Sequence, residues 1–381
     1  MSSAATTSSQ PLNPLEIPEL LDHCIGFLVV ISPRDLVSAS LVAHTWLDIT
    51  QPYLYRAPHV LCNICYTDDV LIKFCTTLTV SAHLVHYVRS LTLLEGNVSS
   101  AAMGRISSLG FTRLESLSLS IQNSRFFQKV TPLLMLASLH RIKLDLHPRF
   151  PFVLHVLASL SPTIEHLDLQ CARWDRRVPL NAASPSTPSL QLKSFSLTIA
   201  SSGDKQQSFE PSVLHPLDIS HLKGLALSNA PWISWDTIPQ QTKDVLRLLD
   251  FSGNLPPHGI DLSSFPNLVV LRTTLQRVVP NRLRRMLTTI CSSNRIHTIV
   301  FILADPLGID SEEYTQLDRI LLTAPLYDSG CVVEFKALPG FEAERKLRRC
   351  FPSLVSRSMF RTVTRSSEMS RIWREEIIDA L

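Results

Sequence analysis

From residue 88 to residue 301 the apolar positions fall into one recurring unit, L-x-x-L-x-L with conservative replacements. It reads VRSLTL, LESLSL, LHRIKL, IEHLDL, LKSFSL, LKGLAL, LRLLDF, LVVLRT and IHTIVF, and a weaker tenth copy ends in CVVEF with Val333 and Phe335. The fourth positions are Leu91, Leu117, Ile142, Leu167, Phe195, Leu225, Leu249, Leu271 and Ile299, separated by 22 to 30 residues. Alternation at the end of each unit is a strand signal, because side chains two apart point to the same side. Leu91 with Leu93, and Leu167 with Leu169, therefore face inward together. The intervening segments FFQKVTPLLMLAS and PFVLHVLASLSP carry helical spacing instead. Each unit thus predicts strand, turn and helix, and no single unit can bury its own apolar face. Stacked units share one continuous core.

This pattern resembles a divergent leucine-rich repeat. The Asn or Cys that the family places after its strand is mostly missing; Asn254 and Cys171 stand near that position. The resemblance implies an α/β solenoid over residues 58–340, with parallel strands lining a concave face and helices outside. Pro/Ser-rich insertions at 178–189 and 201–212 suit exposed loops on such a solenoid. From Phe341 the pattern changes to FEAERKLRRCFPSLVSRSMF, which predicts a helical cap and tail over 341–381.

Ahead of the repeats the spacing predicts three short helices. Ile17, Leu20, Leu21, Cys24, Ile25 and Leu28 fall on one face, and Glu19, Asp22 and His23 on the other. Ser32, Pro33 and Asp35 form a helix start, with a cap, a proline at the first helical position and an acid closing the box. The second helix carries Leu36, Val37, Leu41 and Val42; the third holds Trp46 and Leu47 and is predicted to stop at Pro52. Three such helices bury little area alone, and apolar surface left over on them is a place for another protein.

Residues 14–57 resemble an F-box, the module that docks onto a Skp-type adaptor of the cullin ubiquitin ligases. The matching residues are Ile17-Pro18-Glu19-Leu20-Leu21, Ile25, Leu28, Asp35-Leu36, Val42 and Trp46; Ala43 stands where a Cys is common, and the first link is about two residues longer than usual. Residues 1–13 are read as a disordered tail. The resemblance implies adaptor contacts at Pro18, Leu20, Leu21, Ile25, Leu28, Leu36, Leu41 and Trp46. Some of these, Trp46 and Leu41 above all, could equally hold the helices together.

It further implies a substrate-recognition subunit whose repeats bind a client protein, with the adaptor and a cullin as partners. The alternative is a repeat scaffold whose F-box-like helices only cap the solenoid. On the strand face the residues between the inward leucines would meet the client. Arg141, Lys143, His166 and Asp168 form its most charged part.

Composition narrows the classes further. Hydrophobic residues make up 45% and charged residues 18%, which suits a folded chain. A net charge of +3 without any long single-sign block argues against nucleic acid or an anionic membrane as the main partner. No window reaches the length of a membrane span, and MSSAATTSSQ lacks the features of a signal or transit peptide. Eight scattered cysteines suit a reducing compartment, so cytoplasm or nucleus is expected, and the Asn97-Val98-Ser99 glycosylation pattern is read as chance.

Cys62-x-x-Cys65 with Cys75, His83 and His86 invites a zinc reading. Strand alternation puts Cys62 and Cys65 on opposite faces, where they cannot share a tetrahedral ion. Cys75 falls with Leu71, Phe74 and Leu78 on a buried helix stripe. The Arg345–Arg349 cluster and Arg282, Arg284 and Arg285 read as solvated helix faces. No phosphate loop, nucleophile elbow or metalloprotease motif is present, in line with only 11 glycines. The expectation is a non-catalytic protein with no cofactor and no metal.

Overall fold

The computed structural model describes residues 17–32, 35–56, 59–61, 69–94, 100–121, 123–146, 153–171, 190–199, 217–228, 238–252, 259–274, 280–303, 311–323, 326, 330–337 and 341–364. The chain divides into two compact units, residues 1–119 and 120–381.

The first unit opens with helices α1 (Pro18–Ile31), α2 (Asp35–Ala39) and α3 (His44–Arg56). Proline at the first helical position of α1 costs no hydrogen bond, since that N–H has no intrahelical partner. Leu21 and Ile25 of α1, one helical turn apart, close on Leu36 and Ala39 of α2. Trp46, Ile49, Tyr53 and Leu54 of α3 pack against this cluster. Contrary to the expectation for the third helix, Pro52 lies inside α3, which runs on to Arg56. Packing of Tyr53 and Leu54 on the core holds the last turn despite the N–H that proline lacks. The Thr50 hydroxyl donates back to the Trp46 carbonyl at 2.7 Å, and the Tyr53 hydroxyl donates to Asp22 at 2.9 Å, tying α3 to α1. Burial and that bond to an acid both raise the Tyr53 pKa.

After α3 come β1 (His59–Leu61), α4 (Asp69–Val80), a 3-10 turn (Ala82–Tyr87), β2 (Ser90–Leu94), α5 (Ser100–Ser107) and β3 (Ser116–Ile121). The strands pair in parallel, His59 opposite Thr92 and Leu91 opposite Leu117. Leu71, Cys75 and Leu78 are buried along α4, as helical spacing requires.

The second unit continues with α6 (Ser124–Leu134), β4 (Arg141–Leu146), α7 (Val153–Ala158), β5 (His166–Cys171), β6 (Leu190–Gln191), β7 (Ser194–Ile199), β8 (Leu217–Asp218), β9 (Gly224–Ser228), α8 (Gln240–Val245) and β10 (Leu248–Ser252). Then follow a 3-10 turn (Leu262–Ser264), β11 (Val270–Thr274), α9 (Pro280–Leu287), β12 (Thr298–Ile302), α10 (Ser311–Thr323), β13 (Val332–Ala337), α11 (Phe341–Cys350), α12 (Pro352–Ser356) and β14 (Phe360–Thr364). Strands lie side by side in the order β4-β5-β7-β9-β10-β11-β12-β13-β14, while β6 and β8 form a separate parallel pair.

Every copy of the repeated unit is a strand, and the fourth positions stand opposite one another: Ile142 with Leu167, Leu167 with Phe195, Phe195 with Leu225, Leu225 with Leu249, Leu249 with Leu271, Leu271 with Ile299, and Ile299 with Val333. These residues form the buried row that the alternation predicts. At the start of the strands the first two N–H groups converge on one carbonyl of the preceding repeat. Lys193 and Ser194 donate to Glu165, Lys223 and Gly224 to Lys193, and Arg247 and Leu248 to Lys223. That repeated fork fixes the register between layers.

Two features differ from the expectations. The C-terminal segment holds the helices α11 and α12, but its described part ends in β14, which adds a further parallel strand, Phe335 opposite Thr362. Phe335 of β13 stacks on Phe360 of β14 with ring centroids 4.9 Å apart, and meets the Phe351 ring at a tilt, 4.6 Å between centroids. Asn254 lies outside the described residues. Between α9 and β12, the Asn294 amide donates to the Leu262 and Phe265 carbonyls at 2.9 and 3.0 Å. The insertions at 178–189 and 201–212, residues 1–13 and Asn97–Ser99 lie outside the described residues.

Candidate functional site

Nine large apolar side chains are exposed among the described residues, and five of them lie between Leu20 and Val42. That concentration makes the helical unit the first candidate for a protein contact. Its interior is already closed by Leu21, Ile25, Leu36 and Ala39, each under a tenth exposed. Leu20, Phe27, Val37, Leu41 and Val42 are therefore not needed to fill the core.

The eight sequence-derived adaptor candidates fall into two sets. Pro18, Leu20 and Leu41 are exposed, Leu41 at 81%. Leu21, Ile25 and Leu36 are buried, while Leu28 and Trp46 are half-buried against the same cluster. Helical spacing had placed Leu20 and Leu21 on one face, yet one faces out and the other in. A 100° step between neighbours separates them wherever the core seam is narrow. Phe27, 63% exposed, and Val37 are contact-competent residues that the family pattern did not single out. Their signal was periodicity: Phe27 lies seven residues after Leu20, on the same side of α1.

The second candidate is the outward row of β4, β5 and β7. The register places Arg141 opposite His166 and His166 opposite Ser194, then Lys143 opposite Asp168 and Asp168 opposite Ser196. All four predicted client-contact residues thus share one face of adjacent strands, and each is half-exposed. Lys143 Nζ stands 3.7 Å from Asp168 Oδ2, and His166 Nδ1 shares a 2.8 Å hydrogen bond with Ser194 Oγ. At the strand starts, Glu165 pairs with Lys193 at 2.8 Å, and that bond holds the Glu165 carboxyl below its ordinary pKa.

Farther along, the outward row changes character. Leu248, Val270 and Val300 form a small buried apolar cluster distinct from the main core. Beside them Asp250 and Arg272, opposite one another in the register, pair at 3.5 Å with side chains only 4% and 5% exposed. Burial, then the nearby Arg272 guanidinium, pushes the Lys336 amine down to about 8, opposed in part by Glu334.

No group of His, Cys, Asp and Glu among the described residues could hold a metal ion. Cys62 and Cys65 lie outside them, Cys75 is buried, and His86 Nδ1 is 3.1 Å from Thr112 Oγ1. Among the described residues no helix is long and apolar enough to cross a membrane. On α11, Arg348 pairs with Glu344 at 2.9 Å and lies over the Phe360 ring.

Parallel strands in chain order, with helices between them, define an α/β solenoid of leucine-rich-repeat type preceded by a three-helix unit. No family model matches the chain, and no curated protein matches it. Among solved structures it is similar to the leucine-rich repeat-containing protein LegL7 from Legionella pneumophila, with a TM-score of 0.42 and 13% identity, over 78% of this chain and 98% of that one.

Proposed function

We propose that the chain is a client-recruiting subunit of a Skp–cullin–F-box ubiquitin ligase, acting in cytoplasm or nucleus. The observation that carries this reading is a helical unit whose core is complete while Leu20, Phe27, Val37, Leu41 and Val42 remain exposed. These side chains would meet the Skp-type adaptor, and Arg141, Lys143, His166 and Asp168 a client protein. The chain would make and break no bond itself. Its contribution is proximity, raising the effective concentration of a client lysine near the conjugating enzyme.

The test is capture of a Skp-type adaptor by the full chain, compared with Leu20→Ala/Leu41→Ala. Capture by the wild type that the double substitution abolishes supports the reading; no capture by either removes it. A second reading, a repeat scaffold whose helices only cap the first strands, draws on a separate observation. Helix α3 packs on the 3-10 turn Ala82–Tyr87, and the Arg89 N–H donates to the Arg56 carbonyl at 2.9 Å.

A further inference from the structure

Leu283, Met286 and Leu287 bury one face of α9, Leu317 and Leu321 one face of α10, and Leu347 and Cys350 one face of α11. Helical spacing then turns Arg284, Arg285, Arg319, Arg345, Arg348 and Arg349 outward, and all six are exposed. α10 packs against both α9 and α11. Each of the three connects neighbouring parallel strands, so they run in the same sense. The arginines occupy the middle and the C-terminal end of each helix and therefore share one edge of the helical layer. With neighbouring axes 8–10 Å apart, the patch is roughly 20 Å across. Arg295, exposed in the link that follows α9, adds to it.

Little negative charge offsets this edge. α9 has no acidic residue, while Glu312, Glu313 and Glu342 belong to the first turns of α10 and α11, the opposite helix ends. Asp318 is buried and accepts N–H groups of α12, and Glu344 is taken by Arg348 at 2.9 Å. Among the described residues Arg284, Arg285, Arg319, Arg345 and Arg349 have no ion-pair partner. Complementing the helix dipole accounts for the last-turn arginines of α9 and α11, but not for Arg295, Arg319 or Arg345. Arg345 and Arg349, one turn apart, repel each other.

We propose that this arginine edge of α9–α11 binds the phosphodiester backbone of a nucleic acid, without regard to base sequence. Arginine matches phosphate oxygens with a planar, bidentate fork. A protein partner is disfavoured because its interface needs an apolar centre. None of the nine exposed large apolar side chains among the described residues follows Val245. Whole-chain charge, only +3, argued against such a ligand, but phosphate responds to the local field. The fold supplies that field by lining up clusters that are dozens of residues apart in sequence. The surface lies on the helix side of the repeats, so it neither needs nor competes with the strand face of β4–β7, and it does not rest on the ligase reading.

The experiment is anisotropy of fluorescein-labelled DNA and RNA, single strands and duplexes of about 20 nucleotides, titrated with the full chain. Four phosphate contacts require duplex affinity to fall about a hundredfold between roughly 50 and 200 mM salt. Arg285→Gln/Arg319→Gln/Arg349→Gln should weaken binding about tenfold or more at the lower salt and flatten the logarithmic salt slope by about 2 to 3. Arg105→Gln/Arg113→Gln/Arg125→Gln removes the same charge from exposed positions on earlier repeats and should change neither. All six positions are exposed, so both variants should melt with the wild type. Binding of either nucleic acid with this dependence supports the proposal. No binding by the wild type at the lower salt overturns it, as does equal loss in the two variants. Equal affinity for polyglutamate, or binding to phosphatidylserine vesicles without binding to nucleic acid, overturns it too, in favour of an acidic protein or a membrane surface.

Discussion

Leu20 and Leu21 are chemically identical and adjacent, and their opposite burial sets opposite expectations. Ile25→Ala, inside the closed cluster with Leu21, should cost about 2–5 kcal/mol of unfolding free energy through the lost methylenes and the cavity. Leu41→Ala should leave stability within about 0.5 kcal/mol, because its side chain touches little of its own unit. Urea titration of both variants reads the first difference, and adaptor affinity reads the second. Only Leu41→Ala should lose affinity without losing stability. Lys336 carries a pH expectation of its own. Its folded pKa, about 8, lies below the ordinary lysine value of 10.5, so the folded state binds fewer protons between those limits. Stability should therefore rise as pH climbs from 8 to 10.5, and the penalty is fully present below 8. Lys336→Met should be the more stable protein at pH 7, with a flatter profile across that window. The amine is only about half-buried, so screening by water keeps the gain small. Thermal unfolding at pH 7 and pH 10 tests it; equal slopes for the two proteins would contradict the assignment.

At the scale of the element, an exposed carboxamide and a buried carboxylate hold helices in place. Asn123 caps α6, its Oδ1 accepting the Phe126 N–H at 2.9 Å, and Asn123→Ala should cost about 1 kcal/mol. Asp318 of α10 reaches the start of α12, where it accepts the Ser353 and Leu354 N–H groups at 3.0 and 3.1 Å. Removing it by Asp318→Ala leaves those donors without that acceptor, at about 1–3 kcal/mol. Hydrogen exchange should show the loss concentrated in α12 and β14, ahead of β4–β9. The strands themselves were legible in the sequence because period-two alternation survives divergence; ten copies of the unit became ten strands. β14 was not legible, since FRTVT carries one alternation and follows a segment dominated by charged helix. The length of α3 was missed for another reason: proline predicts a stop, but tertiary packing of Tyr53 and Leu54 outweighs it. Of the candidate sites, the strand-face residues could be placed together from register alone. The division of Pro18–Trp46 into core and surface could not, because it depends on where the α1–α2 seam lies.

For the whole molecule the question is whether the leading helices are a handle or a lid on the first repeat. A repeat array behaves as a chain of neighbouring interfaces, so removing one terminal piece costs that interface and little beyond it. Residues 1–57 touch the repeats of their own unit through α3 on the Ala82–Tyr87 turn and through the Arg56–Arg89 hydrogen bond. Deleting them should lower the melting temperature by no more than about 8 °C, the shift about 2 kcal/mol would give in a domain of 150–250 residues. The far-ultraviolet sheet signal should persist, and adaptor capture should vanish altogether. The lid reading expects the reverse order of losses: with Leu84 and Val85 uncovered, the strands nearest the cut would melt first and carry their neighbours with them. Circular dichroism and hydrogen exchange on the shortened chain separate the two. Protection retained at Leu91 and Leu117 alongside lost adaptor capture is the signature of a handle, and protection lost at those residues is the signature of a lid.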